Sequence, residues 1–548
     1  MTDVIVVGAG IAGLTCAHAL ARAGKRVLVL EHNHQAGGLM AGIWRKGFHF
    51  DAGDQSFESL GMTLPLLEEM GIPRSRFRRS TYQIRMPGLD TVVTSLDQLE
   101  EAFAGAYPAD RAGLRRVFDA HRRTSALCTA VSEGDCIPYV GDGGQRRARR
   151  WARLAARLLP EARMLAASVT EEFGPWYARQ MAAGPLRDTL GSAGYSRMSV
   201  FVASAFWHLW ANDYWYPEGG YARLWEDLVH GLRAAGGEVR FKTTVAGLRT
   251  RGDRATAVVT SRGERLDADT IVWTGDLRSA VMHLTGPERW PRRVVDAVQR
   301  APLSDPLVSL YLGLDLPPES LRETLRASHL FWFPQHGRTQ NTARPDADFH
   351  VGQFLEVTSH SLTDPSLCPP GQTGLVAQSM TRWDWDRHWG TAGDPMVRAR
   401  AYEDAKRRVG DQLLAGLARL LPGIEDRVVF QDVGTPPSTM RFTRAADGAS
   451  CGFMLNLLEF PFKATLARFT TPLRNVLLAG HGTIWPGSVP MAALSGRIVA
   501  QRLIEGYYTH GIGRLTARLV DTGARAAVPD GLRELPLAPK VRARKEAA

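Results

Sequence analysis

Residues 3–31 read DVIVVGAGIAGLTCAHALARAGKRVLVLE, and this one stretch dictates the first fold unit of the chain. The run Val4 to Val7 is apolar and β-branched, as suits a parallel strand covered on both faces. Gly8 permits the sharp turn that must follow. Gly10 lets the backbone approach a pyrophosphate, and Gly13 lets the next helix pack close to the strand. The helix expected from Ile11 to about Ala23 aims its first N–H groups and positive dipole end at the phosphates, with Ala9, Ile11 and Ala12 completing the cradle. Gly24 then stops it. A second apolar strand, Val27 to Leu30, delivers Glu31, whose carboxylate can accept both hydroxyls of an adenosine ribose and would repel a 2′-phosphate; His32 adjoins it. With 54 glycines in 548 residues, three at this spacing arise by chance about 0.5 times per chain. The weight therefore rests on the order of strand, glycines, helix, strand and terminal acid.

The length and a hydrophobic share of 44% suit two or three domains with substantial cores. No uninterrupted apolar stretch of about 20 residues spans a bilayer, and an apolar strand starting at Asp3 leaves no room for a signal peptide, so a cytoplasmic protein is expected. The longest apolar run, Met198 to Trp210, is broken by Ser204 and His208 and reads as a buried helix. Cys16, Cys128, Cys136, Cys368 and Cys451 are scattered and odd in number, which points to reduced thiols and to no metal site.

The net charge of +11 is local rather than general, so nucleic acid is not an expected partner. Part of it lies in GGQRRARRWARLAARLLPEARM. There Trp151, Leu154, Ala155, Leu158 and Leu159 fall on one helical face, with Arg146, Arg149, Arg150, Arg153 and Arg157 largely opposite. Such a helix suits an anionic membrane surface, and equally a surface helix packed on its own domain. The rest of the excess lies in the tail after Gly513, expected to be largely disordered.

Further along, Gly37 and Gly38 form a turn, Phe48 to Asp51 a short strand, and residues 62–210 a mostly helical region. A helix runs through Leu224, Leu228 and Leu232. Strands are expected at Val239 to Val245, Ala255 to Thr260 and Arg265 to Thr274. Residues 305–470 mix strands and loops with one helix, Ala401 to Leu421. The segment from Asn475 to Ile504 repeats the opening pattern, with strand Val476 to Ala479, a glycine-rich turn and helix Met491 to Leu503.

Five blocks carry a family likeness over Thr2 to Gly506. They are the opening unit with Gly37-Gly38, the block Gly47-Phe48-His49-Phe50-Asp51-Ala52-Gly53, the block Tyr216-Pro217-Glu218-Gly219-Gly220, the block Asp364 to Gly371, and NVLLAGHGTIWPGSVPMAALSGRIVAQ. In this order they resemble the phytoene desaturase and carotenoid isomerase group of FAD-dependent oxidoreductases, related more distantly to flavin amine oxidases.

The resemblance implies an α/β fold: a Rossmann-type FAD-binding domain assembled from discontinuous segments, plus an α+β substrate domain with a helical, membrane-contacting part. The FAD domain would take residues 1–75, 215–300 and 470–505, the substrate domain 76–214 and 301–469, and the basic tail 506–548. It further implies that Gly8, Gly10 and Gly13 hold the pyrophosphate, Glu31 the ribose, and Gly37, Gly38, Leu39 and Met40 the flavin side of the diphosphate. Val245 would touch adenine through its main chain. Gly480 and His481 would meet the ribityl chain, and the helix opening at Val489, Pro490, Met491 and Ala492 would face the flavin pyrimidine edge. Leu39 and His481 depart from relatives, which usually carry a basic residue after the glycine doublet and an acid after the later glycine.

The implied activity is desaturation, isomerisation or saturation of C=C bonds in a long apolar isoprenoid or polyene, with oxygen or a membrane quinone as electron acceptor and the protein peripheral on the inner face of the membrane. His481, Trp485 and Asp54 are the residues expected nearest the chemistry, with Gln55 beside them. The aromatic stretch from Phe201 to Pro217 could line an apolar tunnel or simply pack a core. A flavin amine oxidase, and a non-catalytic prenyl- or lipid-binding protein of the same fold, stand as alternatives.

Overall fold

The computed structural model describes residues 2–53, 55–133, 149, 152–153, 155–190, 199–336, 349–381, 388–391, 393–453, 469–483, 487–505 and 531–534. Strand Thr2–Val7 lies at the centre of a five-stranded parallel sheet. Its neighbours are Val27–Leu30 and then Glu238–Arg240 on one side, and Ala268–Trp273 and then Val476–Leu478 on the other. Ile5, Val6, Val29, Ile271, Val272 and Val476 are wholly buried, as β-branched residues of a sheet covered on both faces should be. Helices Ile11–Arg22 and Val489–Glu505 cross so closely that a Cβ at Gly496 would stand 2.1 Å from Ala12 O. Helix Gly220–Ala234 buries Leu224, Leu228 and Leu232 on one stripe, three residues spaced one helical turn apart.

A second, seven-stranded sheet has the order Val428–Gly434, Leu307–Leu314, Thr373–Met380, Leu355–Thr358, His329–Trp332, Tyr82–Met86, Leu89–Val93. One face packs Leu310, Leu312, Leu330, Val357 and Leu375 against helix Arg400–Ala418 through Val409, Leu413 and Leu417. Beside it, helices Leu96–Ala106, Arg111–Glu133, Val169–Ala183 and Val200–Asn212 share a core around Leu99, Phe103, Phe118 and Trp207.

Two expectations give way and a third gains detail. Residues 62–210 are mostly helical among those described, but Phe77–Arg79, Tyr82–Met86 and Leu89–Val93 within them are strands. Tyr82–Met86 pairs in parallel with His329–Trp332, nearly 250 residues on, a partner that no local pattern reveals. The single strand expected from Val239 to Val245 is two. Glu238–Arg240 edges the parallel sheet, and Val245–Arg251 opens an antiparallel one with Arg254–Thr260. Likewise Arg265–Leu266 closes that hairpin sheet whereas Ala268–Trp273 enters the parallel core. The tail contributes strand Gly531–Glu534, paired with Val245–Arg251; its remaining residues lie outside those described.

In the basic segment, residues 152–153 and 155–158 are helical; Arg149, Arg153 and Arg157 are exposed. Leu158 packs on the helical core and Leu159 is 72% exposed. Trp151 and Leu154 lie outside the described residues. No helix among those described is long and apolar enough to cross a membrane.

Candidate functional site

A cleft of about 390 Å³ opens at the carboxyl ends of the parallel strands, where ligands of such sheets are bound. Val7 ends on Gly8, whose φ of +107° only glycine adopts without strain. A Cβ at Gly13 would stand 2.0 Å from Gly8 O, so the missing side chain is what lets helix Ile11–Arg22 sit on the strand. Gly10 is different. A Cβ there would meet nothing nearer than Gly38 Cα at 4.0 Å, and Gly10 caps the helix without any side-chain bond to its first N–H groups. Uncapped donors and open space face the cleft together, the arrangement that suits a diphosphate.

Glu31 ends the second strand as a buried acid on the cleft wall. Its Oε2 accepts the Ala9 N–H at 2.8 Å, its Oε1 accepts the Asn33 N–H at 2.9 Å, and His32 Nδ1 lies 3.0 Å from Oε1. Burial alone would raise its pKa, but the His32, Asn33 and Ala9 contacts outweigh that and hold it below the usual range. The carboxylate is thus anionic and already committed to two backbone donors, leaving further lone pairs for ribose hydroxyls.

Gly8, Gly10, Ile11, Ala12, Glu31, His32, Gly37, Gly38, Leu39, Met40, Val245, Gly480, His481, Val489 and Ala492 all line this cleft. Ala9, Gly13, Pro490 and Met491 do not; Ala9 is buried in the core and Met491, partly buried, packs against it. Asp54 and Trp485 lie outside the described residues. His481 stacks its ring over Gly452, where a Cβ would come within 2.3 Å of Cδ2. Burial depresses its pKa despite the nearby Asp276 carboxylate, so the ring is neutral near pH 7.

The sequence reading missed half of the wall. Thr274 to Asp276, Arg278, Ser279 and His283 follow strand Ala268–Trp273, and Met440 to Cys451 supplies much of the opposite side. The first group sits at a strand's carboxyl end and could have been found that way. The second begins within the short helix Pro436–Thr443 and runs on to Cys451. Buried lining atoms without a hydrogen-bond partner include His32 Nε2, Arg278 Nε and Ser488 Oγ. Buried polar atoms are nearly always satisfied, so this wall fits a polar ligand.

The family model described as flavin containing amine oxidoreductase matches residues 11–504. The chain belongs to that family. This flavin-containing oxidoreductase is 24% identical to the all-trans-retinol 13,14-reductase of Danio rerio, over 91% of this chain and 86% of that protein. It is 26% identical to the phytoene dehydrogenase of Streptomyces griseus, over 91% and 94%. Among solved structures it resembles the cyclohexylamine oxidase of Brevibacterium oxydans, with a TM-score of 0.57 and 16% identity over 92% of this chain and 99% of that one. That likeness concerns the fold. Together with curated relatives named phytoene desaturase and prolycopene isomerase, these matches make the chain a phytoene desaturase-like and carotenoid isomerase-like flavin oxidoreductase.

Proposed function

We propose that the cofactor is FAD and that the enzyme adds, removes or rearranges C=C bonds in a long apolar isoprenoid or polyene. The observation that carries this reading is the cleft: an uncapped helix N-terminus at Gly10, the buried acid Glu31 at one end, and the start of helix Val489–Glu505 on the same wall. Glu31 suits an unphosphorylated ribose, Gly10 and Gly38 leave room for a diphosphate, and Gly480, His481 and Val489 are suited to the flavin end. Bound flavin supplies a two-electron hydride acceptor or donor. The protein's own part is to bind, to align the substrate C–H or C=C bond and to exclude water. The N–H groups that open helix Val489–Glu505 would favour negative charge beside them, and neutral His481 can donate or accept at a hydroxyl.

The polyene reading draws on the retinol reductase and phytoene dehydrogenase relatives and on the partly exposed aromatics Phe201, Phe206 and Trp210. We further assign residues 1–75, 215–300 and 470–505 to the cofactor domain and 76–214 and 301–469 to the substrate domain. Oxygen or a quinone is the proposed electron acceptor, and the basic segment around Arg149 to Arg157 the proposed contact with a membrane surface.

Protein purified from flavin-replete cells should show an absorption band near about 450 nm. Anaerobic addition of an apolar lipid substrate should change that band, and the recovered lipid should lose two hydrogens, gain two, or isomerise. A colourless protein with no extractable FAD would overturn the proposal.

A further inference from the structure

The face of the seven-stranded sheet turned away from helix Arg400–Ala418 carries a carboxylate that the cofactor cleft does not use. Tyr311 OH donates to Ala52 O at 3.0 Å, Gln378 Nε2 to Gly53 O at 2.9 Å, and Thr358 Oγ1 to Gln55 Oε1 at 2.7 Å. Three strands thus hold Ala52, Gly53 and Gln55 by one face. Gly53 presses on Leu39 of the cleft wall, where a Cβ would come within 1.9 Å of Leu39 O. This sheet face is therefore one layer removed from the cofactor site.

Glu356 precedes Thr358 by two residues, so its side chain emerges on that same face about 7 Å along the strand. The strand register sets it opposite Phe331. The Phe331 ring centroid lies 4.9 Å from Trp210 and 5.8 Å from Phe354, and all three rings are only partly buried. On its other flank Glu356 meets a wholly buried histidine: His329 Nε2 is 2.6 Å from Glu356 Oε1. His329 Nδ1 lies 3.3 Å from Tyr214 OH, which donates to Gln55 O at 3.3 Å. The histidine is held in place by that chain of contacts. The Glu356 side chain keeps 19% of its surface exposed, beside the aromatic rings.

A pure hydrocarbon laid across Trp210, Phe331 and Phe354 would strip the remaining water from this carboxylate and return no hydrogen bond, a loss that buried anions do not tolerate cheaply. A chain bearing an O–H or N–H donor would replace the water. We infer that Glu356 selects the substrate: a long apolar molecule carrying a hydroxyl or ammonium group, its donor on Glu356 and its chain on the three rings. This rests on the polyene reading above and narrows it from hydrocarbons to donor-bearing chains.

The test is tryptophan-fluorescence titration of the flavin-loaded protein with retinol and with the hydrocarbon of the same polyene lacking the hydroxyl. The wild type should bind retinol at least about tenfold more tightly, as a hydrogen bond to a charged acceptor implies. Glu356→Leu should abolish that preference and Glu356→Gln reduce it severalfold, both with flavin content unchanged. A preference that survives in Glu356→Leu would overturn the inference. If that variant does not fold, an undiminished preference in Glu356→Gln overturns it instead. Failure of the flavin-loaded wild type to bind either polyene would sink the polyene reading itself, whereas equal binding of both by the wild type refutes only the role of Glu356.

Discussion

Gly10 and Gly13 belong to one motif, yet their surroundings separate them. A side chain at Gly10 points into open cleft, and one at Gly13 points into the Gly8 carbonyl at 2.0 Å. Gly10→Val should therefore fold with a near-normal thermal midpoint but lose flavin, read as the 450 nm to 280 nm absorbance ratio. Gly13→Val should be destabilised by about 1–3 kcal/mol or more through overpacking, with a lowered midpoint even as apoprotein. Equal behaviour of the two variants would contradict this division of roles. Buried histidines give a second residue-level expectation. Burial lowers the pKa of His49 and His208 to about 4, and of His121 and His350 to about 3. Between these values and 6.5 the unfolded chain binds protons that the folded chain does not, so stability falls as pH drops through that window. Each histidine contributes up to about 1.4 kcal/mol per pH unit. Thermal midpoints should decline steeply from pH 6.5 toward 4, and His121→Asn should flatten the slope.

Elements with a strong short-range pattern were legible in the chain, and those without one were not. Strands Val27–Leu30 and Phe48–Asp51 and the helix through Leu224, Leu228 and Leu232 declare themselves by short-range pattern. Tyr82–Met86 does not: it pairs with the adjacent Leu89–Val93 on one edge and with the remote His329–Trp332 on the other. The glycine side of the cleft was readable for the same reason, since βαβ geometry fixes it locally. The Met440 to Cys451 wall exists only once that segment has reached the cleft, and the Glu356–His329 pair only once two strands of the seven-stranded sheet have aligned. Helix crossing offers a test at this scale: Gly496→Val would drive Cβ into Ala12 O at 2.1 Å, displacing the helix whose N-terminus faces the cleft. Lower stability and lower flavin occupancy should appear together. For the basic segment, reversing the charges of Arg149, Arg153 and Arg157 together should weaken flotation with anionic liposomes at least about tenfold, given roughly 1 kcal/mol per basic residue at such a surface. Unchanged flotation would remove the membrane contact.

At the scale of the whole molecule, three separated stretches build one parallel sheet with the cleft at its carboxyl edge, so ligand binding and folding should be strongly coupled. FAD at about a hundred times its Kd should raise stability by about 2.7 kcal/mol, visible as a concentration-dependent thermal midpoint. A midpoint indifferent to added FAD would argue against FAD as the resident cofactor. The strand order also has a consequence in time. Thr2–Val7 and Ala268–Trp273 can pair early, but their sheet is completed only by Val476–Leu478, and the cleft wall at Val489 and Ala492 waits for helix Val489–Glu505. At roughly 5–20 residues per second, a ribosome needs about 10–40 s to travel between those last two strands. Throughout that interval the half-built sheet presents an unpaired edge beside Ala268–Trp273, so the growing chain has a window for aggregation or chaperone capture that closes only when its final strand arrives.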